Sequence, residues 1–499
     1  MGEARAYLLG IDLGTTATKC VLCRSDGAIV SVAERPSSVQ SASAGFAEMQ
    51  PEQWWSNVCE LIPEVLGSAG AVAGEVAVVG VSGMVPTLVP VDASLVPVHP
   101  SIQQNDVRAS DEMATMRKAF PDFVKLTGAA VSAQSIGPKW QWLVRHAPEV
   151  TDRTACLLGS YGWVIARLTG RRLADANWAL ESGLCRLGSA AWDDGLLDAS
   201  GLGAELLPEI EAGNEIAGEV NAVAAAECGL AAGTPVSSGY ADHVASAFAS
   251  GALECGDTLF KLGGSADILV VTSAPIADER LYLDLHPSPG RWLPNGCMAT
   301  SGAAVRWLQG LFGGGAALAQ LDEEAEAAGP GAGGVLALAH LLGEKTPLND
   351  PALRGAFLGL HLGHDRGHLH RALLESVAFG FRHHVEVFDE LGIALGTCRV
   401  TNGGSRSGLW KQILADVLER PLESVRAHPG SSWGAAMLAA GAIGAADPEE
   451  LVRGHLQVDV VVEPRRETRE RYGAVYDIYR EAQRATTPIS HALAGLEGS

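Results

Sequence analysis

The first residues that could do chemistry are an aspartate and a short run of glycine and threonine. Asp12 ends an apolar stretch, Gly14, Thr15 and Thr16 follow it, and a second apolar stretch opens at Lys19. A strand, a tight turn and a returning strand would point backbone N–H groups and hydroxyls into one concavity, which suits phosphate oxygens. Asp12 could hold a magnesium ion there, directly or through water. The alternative is an ordinary hairpin turn.

A second acidic residue, Asp242, follows an apolar run that ends near Gly239 and precedes an alanine-rich stretch. We expect a strand to deliver Asp242 to the start of a helix, where backbone can approach a ligand closely. A carboxylate there could accept the proton of an attacking hydroxyl, and phosphoryl transfer needs little beyond such a base, magnesium and a phosphate cradle. The alternative is that Asp242 only caps its helix.

Two further glycine-rich turns could line a nucleotide. Residues 261–267 read K-L-G-G-S-A-D, and residues 401–407 read T-N-G-G-S-R-S, each after an apolar stretch. Both offer flexible backbone and hydroxyl groups that could contact a ligand. Taken singly, either could be an ordinary turn, so the interpretation depends on the order of the four groups along the chain.

The elements that must position these groups alternate between strands and helices, which indicates an α/β fold. Strands are predicted at residues 7–11, 19–23, 76–81 and 268–271. Helices are predicted at residues 51–66, 140–146 and 371–391. The length of 499 residues suggests two domains, and we place their boundary near residue 247. Glycine clusters between residues 313 and 334 flank an acidic segment, which we expect to be a mobile surface excursion.

Composition narrows the possible partners and the compartment. Acidic side chains outnumber basic ones 58 to 36, a formal charge of −22, which excludes a nucleic-acid-binding surface because lysine and arginine supply that affinity. The apolar runs are shorter than the roughly 18 residues of a membrane span, and no export signal is visible. The nine scattered cysteines favour reduced thiols. We therefore expect a cytoplasmic protein without nucleic-acid or membrane partners.

The order of the motifs resembles that of the FGGY carbohydrate kinases, a branch of the actin-like ATPase superfamily. Residues 10–16 look like the first phosphate loop of that family, and residues 239–242 look like the segment that carries its catalytic aspartate. Residues 343–360 closely match the family stretch G-E-R-T-P…D-P-x-A-R-G-x-F-x-G-L, with lysine in place of the first arginine. Residues 402–417 look like the C-terminal family signature. The resemblance spans nearly the whole chain.

The resemblance implies two ribonuclease-H-like (actin-like ATPase) domains, residues 1–247 and 248–499, with a catalytic cleft between them. The first domain would bind the sugar and carry the catalytic base Asp242, and the second would bind the nucleotide. ATP would be the phosphoryl donor, and Asp12 would organise Mg²⁺. The residues expected to contact the nucleotide are Gly14, Thr15, Thr16, Lys19, Gly263, Gly264, Ser265, Gly302, Gly403, Gly404, Ser405 and Arg406.

The implied acceptor is a small ketose, with a pentulose favoured. The residues expected to contact it are Met84, Asn105, Asp106, Arg108, Asp242 and His243. However, Met84-Val85-Pro86 stands where xylulose kinases typically show Gln-Met-His, so a substrate-facing histidine is missing. A kinase of a tetritol, a pentitol or an unusual sugar derivative therefore stays open, as does an actin-like ATP-driven binding protein without a sugar acceptor. A homodimer is compatible with the sequence.

Overall fold

The computed structural model describes residues 6–43, 45–211, 214–426 and 430–497. Its strands are β1 Tyr7–Leu13, β2 Ala17–Arg24, β3 Ile29–Pro36, β4 Glu48–Met49, β5 Val76–Gly83, β6 Val89–Val91, β7 Ser101–Ile102, β8 Cys156–Leu158, β9 Leu173–Asp175, β10 Glu209–Glu211, β11 Ile216–Glu219, β12 Pro235–Ser237, β13 Tyr240–Ala241, β14 Thr258–Leu262, β15 Ala266–Val270, β16 Tyr282–Leu285, β17 Trp292–Met298, β18 Leu336–Leu338, β19 Ala356–Leu358, β20 Cys398–Thr401, β21 Leu422–Val425 and β22 Val458–Val462.

Helices follow or separate most of these strands. They are α1 Pro51–Ala69, α2 Ser110–Ala119, α3 Phe123–Thr127, α4 Ile136–His146, α5 Pro148–Thr151, α6 Ser160–Thr169, α7 Ala176–Glu181, α8 Asp194–Ser200, α9 Ala222–Cys228, α10 Asp242–Ala249, α11 Gly302–Phe312, α12 Leu318–Ala328, α13 Arg366–Glu390, α14 Gly408–Leu418, α15 Ser431–Ala442, α16 Pro448–His455 and α17 Arg469–Glu497. Among the described helices, none combines the length and the apolar character that a membrane crossing demands.

The chain folds into two compact units that are not continuous in sequence. The first unit contains residues 1–253, 273–293 and 428–456, and the second contains residues 254–272, 294–427 and 457–499. The first stretch of the first unit ends close to the predicted boundary at residue 247. Two later segments that the prediction gave to the second domain lie in the first unit.

The central sheet of each unit has the same topology. In the first unit the strand order is β11-β12-β5-β1-β2-β3, with β1, β2 and β3 antiparallel and β5 and β12 parallel to β1. In the second unit the order β17-β15-β14-β20-β21-β22 places β20 parallel to β14 and β21 parallel to β20 after a three-stranded antiparallel meander. Three antiparallel strands followed by two parallel ones form the predicted ribonuclease-H-like core, so the expected α/β fold class is confirmed.

The segment between the glycine clusters differs from the prediction. Instead of a loose surface excursion, it forms α12, which buries Leu321 and Ala325 and packs against α13. Arg366 at the start of α13 forms a two-pronged ion pair with Glu324, with N to O distances of 2.6 and 2.7 Å. Gly313 ends α11 and Gly329 ends α12, and two acidic residues between them, Asp322 and Glu324, pair with His370 and Arg366 of α13.

The first unit depends on close backbone contact between α15 and the central strands. A Cβ atom added at Gly10 of β1 would overlap the carbonyl oxygen of Ser432, and one at Gly80 of β5 would overlap that of Ala435. On the opposite side of α15, a Cβ atom at Gly434 would overlap the Ala245 carbonyl of α10. The three glycines therefore let α15 pack directly between the sheet and α10.

We predict that Gly10→Ala lowers the thermal unfolding midpoint, because the added methyl group meets backbone that cannot rotate away. Overpacking of this kind costs about 1 to 3 kcal/mol. Gly67→Ala in α1 is the control, since its Cβ atom would meet nothing within 4 Å. The control should leave the midpoint unchanged or raise it slightly, because alanine favours a helix over glycine. Equal midpoints for the two variants, measured by circular dichroism, would contradict this account of α15.

Candidate active site

The predicted strand, turn and strand at residues 7–24 form the β1–β2 hairpin. The backbone N–H of Gly14 donates to the Ala17 carbonyl at 3.0 Å, and a Cβ atom at Gly14 would come within 2.8 Å of that same oxygen. Thr16 at the tip is exposed and Thr15 is partly exposed, so both are accessible to a ligand. Lys19 lies opposite Asp12 in the hairpin register and forms an ion pair with Glu34 at 3.4 Å.

Asp12 lies at the end of β1 in an environment that disfavours its negative charge. Its Oδ1 accepts a hydrogen bond from the Ser82 hydroxyl of β5 at 2.9 Å. Burial first, and then the charge of Asp242, raise the pKa of Asp12 to about 6, although hydrogen bonds from Ser431 and Ser82 oppose the shift. A cation bound beside Asp12 would relieve this penalty, so the group suits a magnesium site with a single carboxylate.

Asp242 is the first residue of α10, directly after β13, which pairs in parallel with the end of β5. Its Oδ1 accepts the backbone N–H of His243 at 2.6 Å, and its side chain is 33% exposed. The N-cap position of α10 is occupied by Ala241, so Asp242 is not the cap residue that the alternative interpretation required. One carboxylate oxygen is thus fixed by the helix start, and an accessible side chain is presented to solvent.

The structure places His243 in a cluster that sequence reasoning missed. Its Nε2 lies 2.8 Å from Asp284 Oδ2 and 3.8 Å from Glu181 Oε1, and its Nδ1 lies 3.4 Å from Asp242 Oδ1. Burial and the charge of Asp284 raise the pKa of Glu181 well above its usual range. Glu181 and Asp284 are 62 and 41 residues away from His243, and no local motif points to either.

The predicted sugar contacts Asp106 and Arg108 bind each other. Arg108 donates from Nε and Nη2 to the two Asp106 oxygens at 2.8 and 2.7 Å, and both side chains are at most 1% exposed. Asp106 Oδ2 also accepts the Ala47 N–H at 2.6 Å, and Arg108 reaches Glu48 at 2.7 Å. The guanidinium lies 3.9 Å from the centroid of the Phe46 ring. The polar groups of Asp106 and Arg108 are thus engaged by each other, by the Ala47 N–H and by Glu48.

The other residues considered for sugar binding differ in exposure and in hydrogen bonding. Asn105 is exposed at the turn, whereas Met84 is 1% exposed and its backbone carbonyl accepts the Ser160 hydroxyl at 2.8 Å. The buried Oε1 of Gln104 has no hydrogen-bond partner among the residues that the structure describes. An unpaired buried amide oxygen is costly unless a ligand or water satisfies it. Gln104 is therefore a candidate contact that the sequence analysis did not select.

In the second unit, three predicted nucleotide segments lie side by side. Residues 263–265 form the turn of the β14–β15 hairpin, and its carbonyls at Gly263 and Gly264 accept the N–H groups of residues 301–303 at 2.8 to 3.0 Å. A Cβ atom at Gly302 would lie 2.6 Å from the Gly263 oxygen. A Cβ atom at Gly404 would lie 2.6 Å from Leu262 Cβ. Glycine at these positions keeps the three segments in contact.

The turn at residues 403–406 continues this surface. It is one turn of 3₁₀ helix, in which the Ser405 hydroxyl donates to the Asn402 carbonyl at 2.7 Å, and Arg406 is exposed. Two nearby buried hydroxyls, those of Ser301 and Thr401, have no hydrogen-bond partner within the described part of the chain. Thr401 belongs to the predicted turn at residues 401–407, whereas Ser301 was not selected from the sequence, and each adds a polar group that a ligand could satisfy.

Comparison with known proteins agrees with this geometry. Two ribonuclease-H-like units, one with an accessible carboxylate and one with a glycine-rich hairpin, fit the fold class of the actin-like ATPases. The chain belongs to the FGGY family of carbohydrate kinases, because the N-terminal domain of that family matches residues 7–249 and its C-terminal domain matches residues 259–443. It is therefore a kinase that transfers a phosphoryl group from ATP to an alcohol.

Individual relatives resemble the chain over almost its full length. The crystal structure of a xylulose kinase from Rhodospirillum rubrum is 38% identical with a TM-score of 0.89, and the match covers 97% of this chain and 100% of that one. A structure from Brucella ovis is 29% identical with a TM-score of 0.87, covering 98% and 100%. The xylulose kinase of Bacillus subtilis is 27% identical over 491 residues, 98% of each chain.

Proposed function

We propose that the protein is an ATP- and Mg²⁺-dependent kinase of a pentulose, with a xylulose-like ketose as its acceptor. The observation that carries the proposal is the Asp242 carboxylate, which is accessible, held through Oδ1 at the start of α10, and close enough to Asp12 to raise its pKa. A fixed, accessible carboxylate in a sugar kinase is placed to act as a general base.

The reaction needs one proton transfer and one phosphoryl transfer. Asp242 Oδ2 accepts the proton of the acceptor hydroxyl as that oxygen forms a bond to the γ-phosphorus of ATP. The bond between the γ-phosphorus and the bridging oxygen breaks, and ADP leaves with the electron pair. Because Asp242 Oδ1 is already bonded to the His243 N–H, the carboxylate cannot rotate freely. This orientation reduces the entropy lost on reaching the transition state.

Asp12 is the residue that would hold Mg²⁺. Magnesium sites usually rely on one or two carboxylates together with water and substrate phosphates. The Asp12 carboxylate fits this donor set, because Ser82 fixes one of its oxygens and its ionised form is penalised until a cation is near. When bound, Mg²⁺ neutralises charge on the phosphate oxygens.

The second unit supplies the proposed nucleotide surface. Gly263, Gly264 and Ser265 would contact phosphates, while the turn at residues 403–406 would form the wall for the base. The buried hydroxyls of Ser301 and Thr401, which have no hydrogen-bond partner among the described residues, support the proposal that a polar ligand binds beside these turns. Gly14, Thr15, Thr16 and Lys19 would contact phosphates from the first unit.

The acceptor is assigned from similarity and from the polar groups near Asp242. Relatives that match almost the whole chain are named xylulose kinases. Gln104 offers a polar atom to acceptor hydroxyls, whereas the polar atoms of His243 face the carboxylates of Asp242 and Asp284. The Asp106–Arg108 pair supports the loop on which Gln104 lies. A polyol kinase is the second candidate, because the buried Pro86 occupies the place of a histidine in xylulose kinases and cannot donate a hydrogen bond to a ketose.

The cysteines support a reducing compartment. All nine are free thiols, and most of them are buried. Burial raises the pKa of the Cys59 thiol to about 12 and that of the Cys156 thiol to about 11, so neither is a reactive thiolate. We propose that the enzyme works in the cytoplasm.

The acceptor is identified by measuring ADP release with ketopentoses, ketohexoses, ketoheptoses, tetritols and pentitols. We expect the highest kcat/KM with a ketopentose. A high rate with a polyol alone would replace the pentulose assignment by the polyol assignment. If no acceptor raised ADP release while ATP still bound, the assignment of a small-sugar substrate would be wrong.

Asp242→Asn should lower turnover by about 10²-fold to 10⁴-fold, the usual contribution of a general base. The amide keeps the shape of the side chain but does not accept the proton, so ATP affinity measured by calorimetry should change less than twofold. Asp194→Asn, at an exposed position of α8, is the matched control and should keep full activity. Retention of more than about a tenth of the turnover by Asp242→Asn would remove the base role from this residue.

Gly302→Ala should raise the KM for ATP about tenfold or more with little change in the KM for the acceptor. The new methyl group would meet the Gly263 carbonyl at 2.6 Å and displace the hairpin. Gly310→Ala on the same helix is the control, because its Cβ atom would meet nothing within 4 Å. Steady-state kinetics with each substrate varied in turn separate the two effects, and an unchanged KM for ATP would exclude the hairpin from nucleotide binding.

A further inference from the structure

Three side chains from three elements of the first unit meet beside Asp242. His243 comes from α10, Asp284 from β16 and Glu181 from the end of α7. The Asp284 side chain is fully buried, the Glu181 side chain is 5% exposed and the His243 side chain is 17% exposed. Charged groups are rarely buried to this extent without a partner, so the contacts between the three groups must compensate one another.

The fold fixes the two acids relative to each other. Asn177 in the first turn of α7 accepts the Leu285 N–H at 2.7 Å and donates to the Leu285 carbonyl at 3.0 Å. These two hydrogen bonds to the residue after Asp284 connect α7 to β16. Asp175 caps α7 by accepting the N–H groups of Asn177 and Trp178 at 2.9 and 3.3 Å. Glu181 is the last residue of α7. The cap at Asp175 and the hydrogen bonds of Asn177 therefore fix the helix that carries Glu181 into the cluster.

The hydrogen bonds define the protonation of the cluster. Nε2 of His243 donates to Asp284 at 2.8 Å, and Nδ1 lies 3.4 Å from Asp242 Oδ1, so both ring nitrogens face carboxylates. Only an imidazolium can donate from both nitrogens. Although burial opposes it, the neighbouring Asp284, Asp242 and Glu181 raise the pKa of His243 well above its usual range. Burial and the charge of Asp284 raise the pKa of Glu181 well above its usual range, which favours its protonated form.

We propose that Asp284 and Glu181 are positioning residues that hold His243 as an imidazolium, so that its backbone N–H and its Nδ1 fix Oδ1 of Asp242 and leave Oδ2 for the acceptor hydroxyl. The inference rests on the proposed role of Asp242 as the base. Asp284 binds the far side of the ring at Nε2. Glu181 Oε1 lies 3.8 Å from the same ring nitrogen and has no hydrogen-bond partner among the described residues.

A divalent cation is the competing occupant of the same cluster. One ligand atom from each of Glu181, His243 and Asp284 lies within 4.8 Å of the other two. A metal at this place would need the Nε2 lone pair, whereas the 2.8 Å contact with Asp284 has the geometry of a direct hydrogen bond. The protonated form is therefore favoured, and the metal is a distinct outcome of the tests.

The first test reads the ring itself and does not depend on activity. In protein labelled with ¹⁵N-histidine, NMR at pH 8 should show one resonance pair of a doubly protonated ring that disappears in His243→Gln. In Asp284→Asn, the same ring should become neutral. A neutral His243 ring in the wild type would overturn the proposal. A stoichiometric bound metal in the purified protein that is lost in Asp284→Asn would also overturn it.

The second test is a double-mutant cycle on turnover. Asp284→Asn and His243→Gln should each lower kcat about tenfold to a hundredfold with the KM for ATP changed less than twofold. If Asp284 acts through His243, the double variant should be no slower than the slower single variant. Additive losses would overturn the proposal, because they would show that Asp284 acts independently.

Two comparisons keep the outcomes distinct. Asp278→Asn, which removes a partly exposed carboxylate paired with Arg280 on the same chain segment, should leave kcat unchanged. Thermal unfolding of each variant shows whether it folds, and Asp284→Glu, which restores the charge, should recover part of the lost kcat. If Asp242→Asn retained turnover, the base assignment would fail while the NMR result for His243 still stood.

Discussion

The first unit depends on the contact between α15 and the glycines of its central strands. Gly10 and Gly80 admit the α15 backbone against the sheet, and Gly434 admits α10 against the other side of α15. Asp12 lies two residues after Gly10 on β1, Ser82 lies two residues after Gly80 on β5, and Asp242 begins α10. The same close packing that excludes side chains thus determines where both carboxylates lie. A change of a single methyl group in this layer would alter the geometry of the site.

Burial of charge is the second constraint, and two buried charged sites of the first unit differ in how far their charge is compensated. Asp106 and Arg108 pair with each other, with backbone N–H groups and with an aromatic ring, so that both charges are satisfied locally. Asp12 is not neutralised in this manner, and its raised pKa reflects a carboxylate that still favours a cation. The contrast separates an ion pair whose polar groups are engaged from a carboxylate that still favours a cation.

The elements and motifs that depend on local sequence could be predicted, and the contacts that depend on distant residues could not. The glycine and threonine turn after Asp12 and the placement of Asp242 at a helix start follow from spacing within a few residues. Asp284 and Glu181 had no such signal, because only the tertiary packing of α7 and β16 near α10 brings them to His243. The mutual engagement of Asp106 and Arg108 was also hidden, since a motif shows residue types and not their hydrogen bonds. The prediction of a mobile segment between the glycine clusters was wrong, because Gly313 ends α11 and Gly329 ends α12, which packs on α13.

The discontinuity of the first unit has a consequence for how the protein is made. Helix α15, which covers β1 and β5, belongs to residues 428–456 and is synthesised long after the strands that it covers. A ribosome therefore releases the N-terminal strands with one apolar face uncovered while most of the second unit is still being translated. The first unit is therefore complete only after residue 456 has emerged from the ribosome. Until then the uncovered apolar face of its sheet is available for a chaperone to bind.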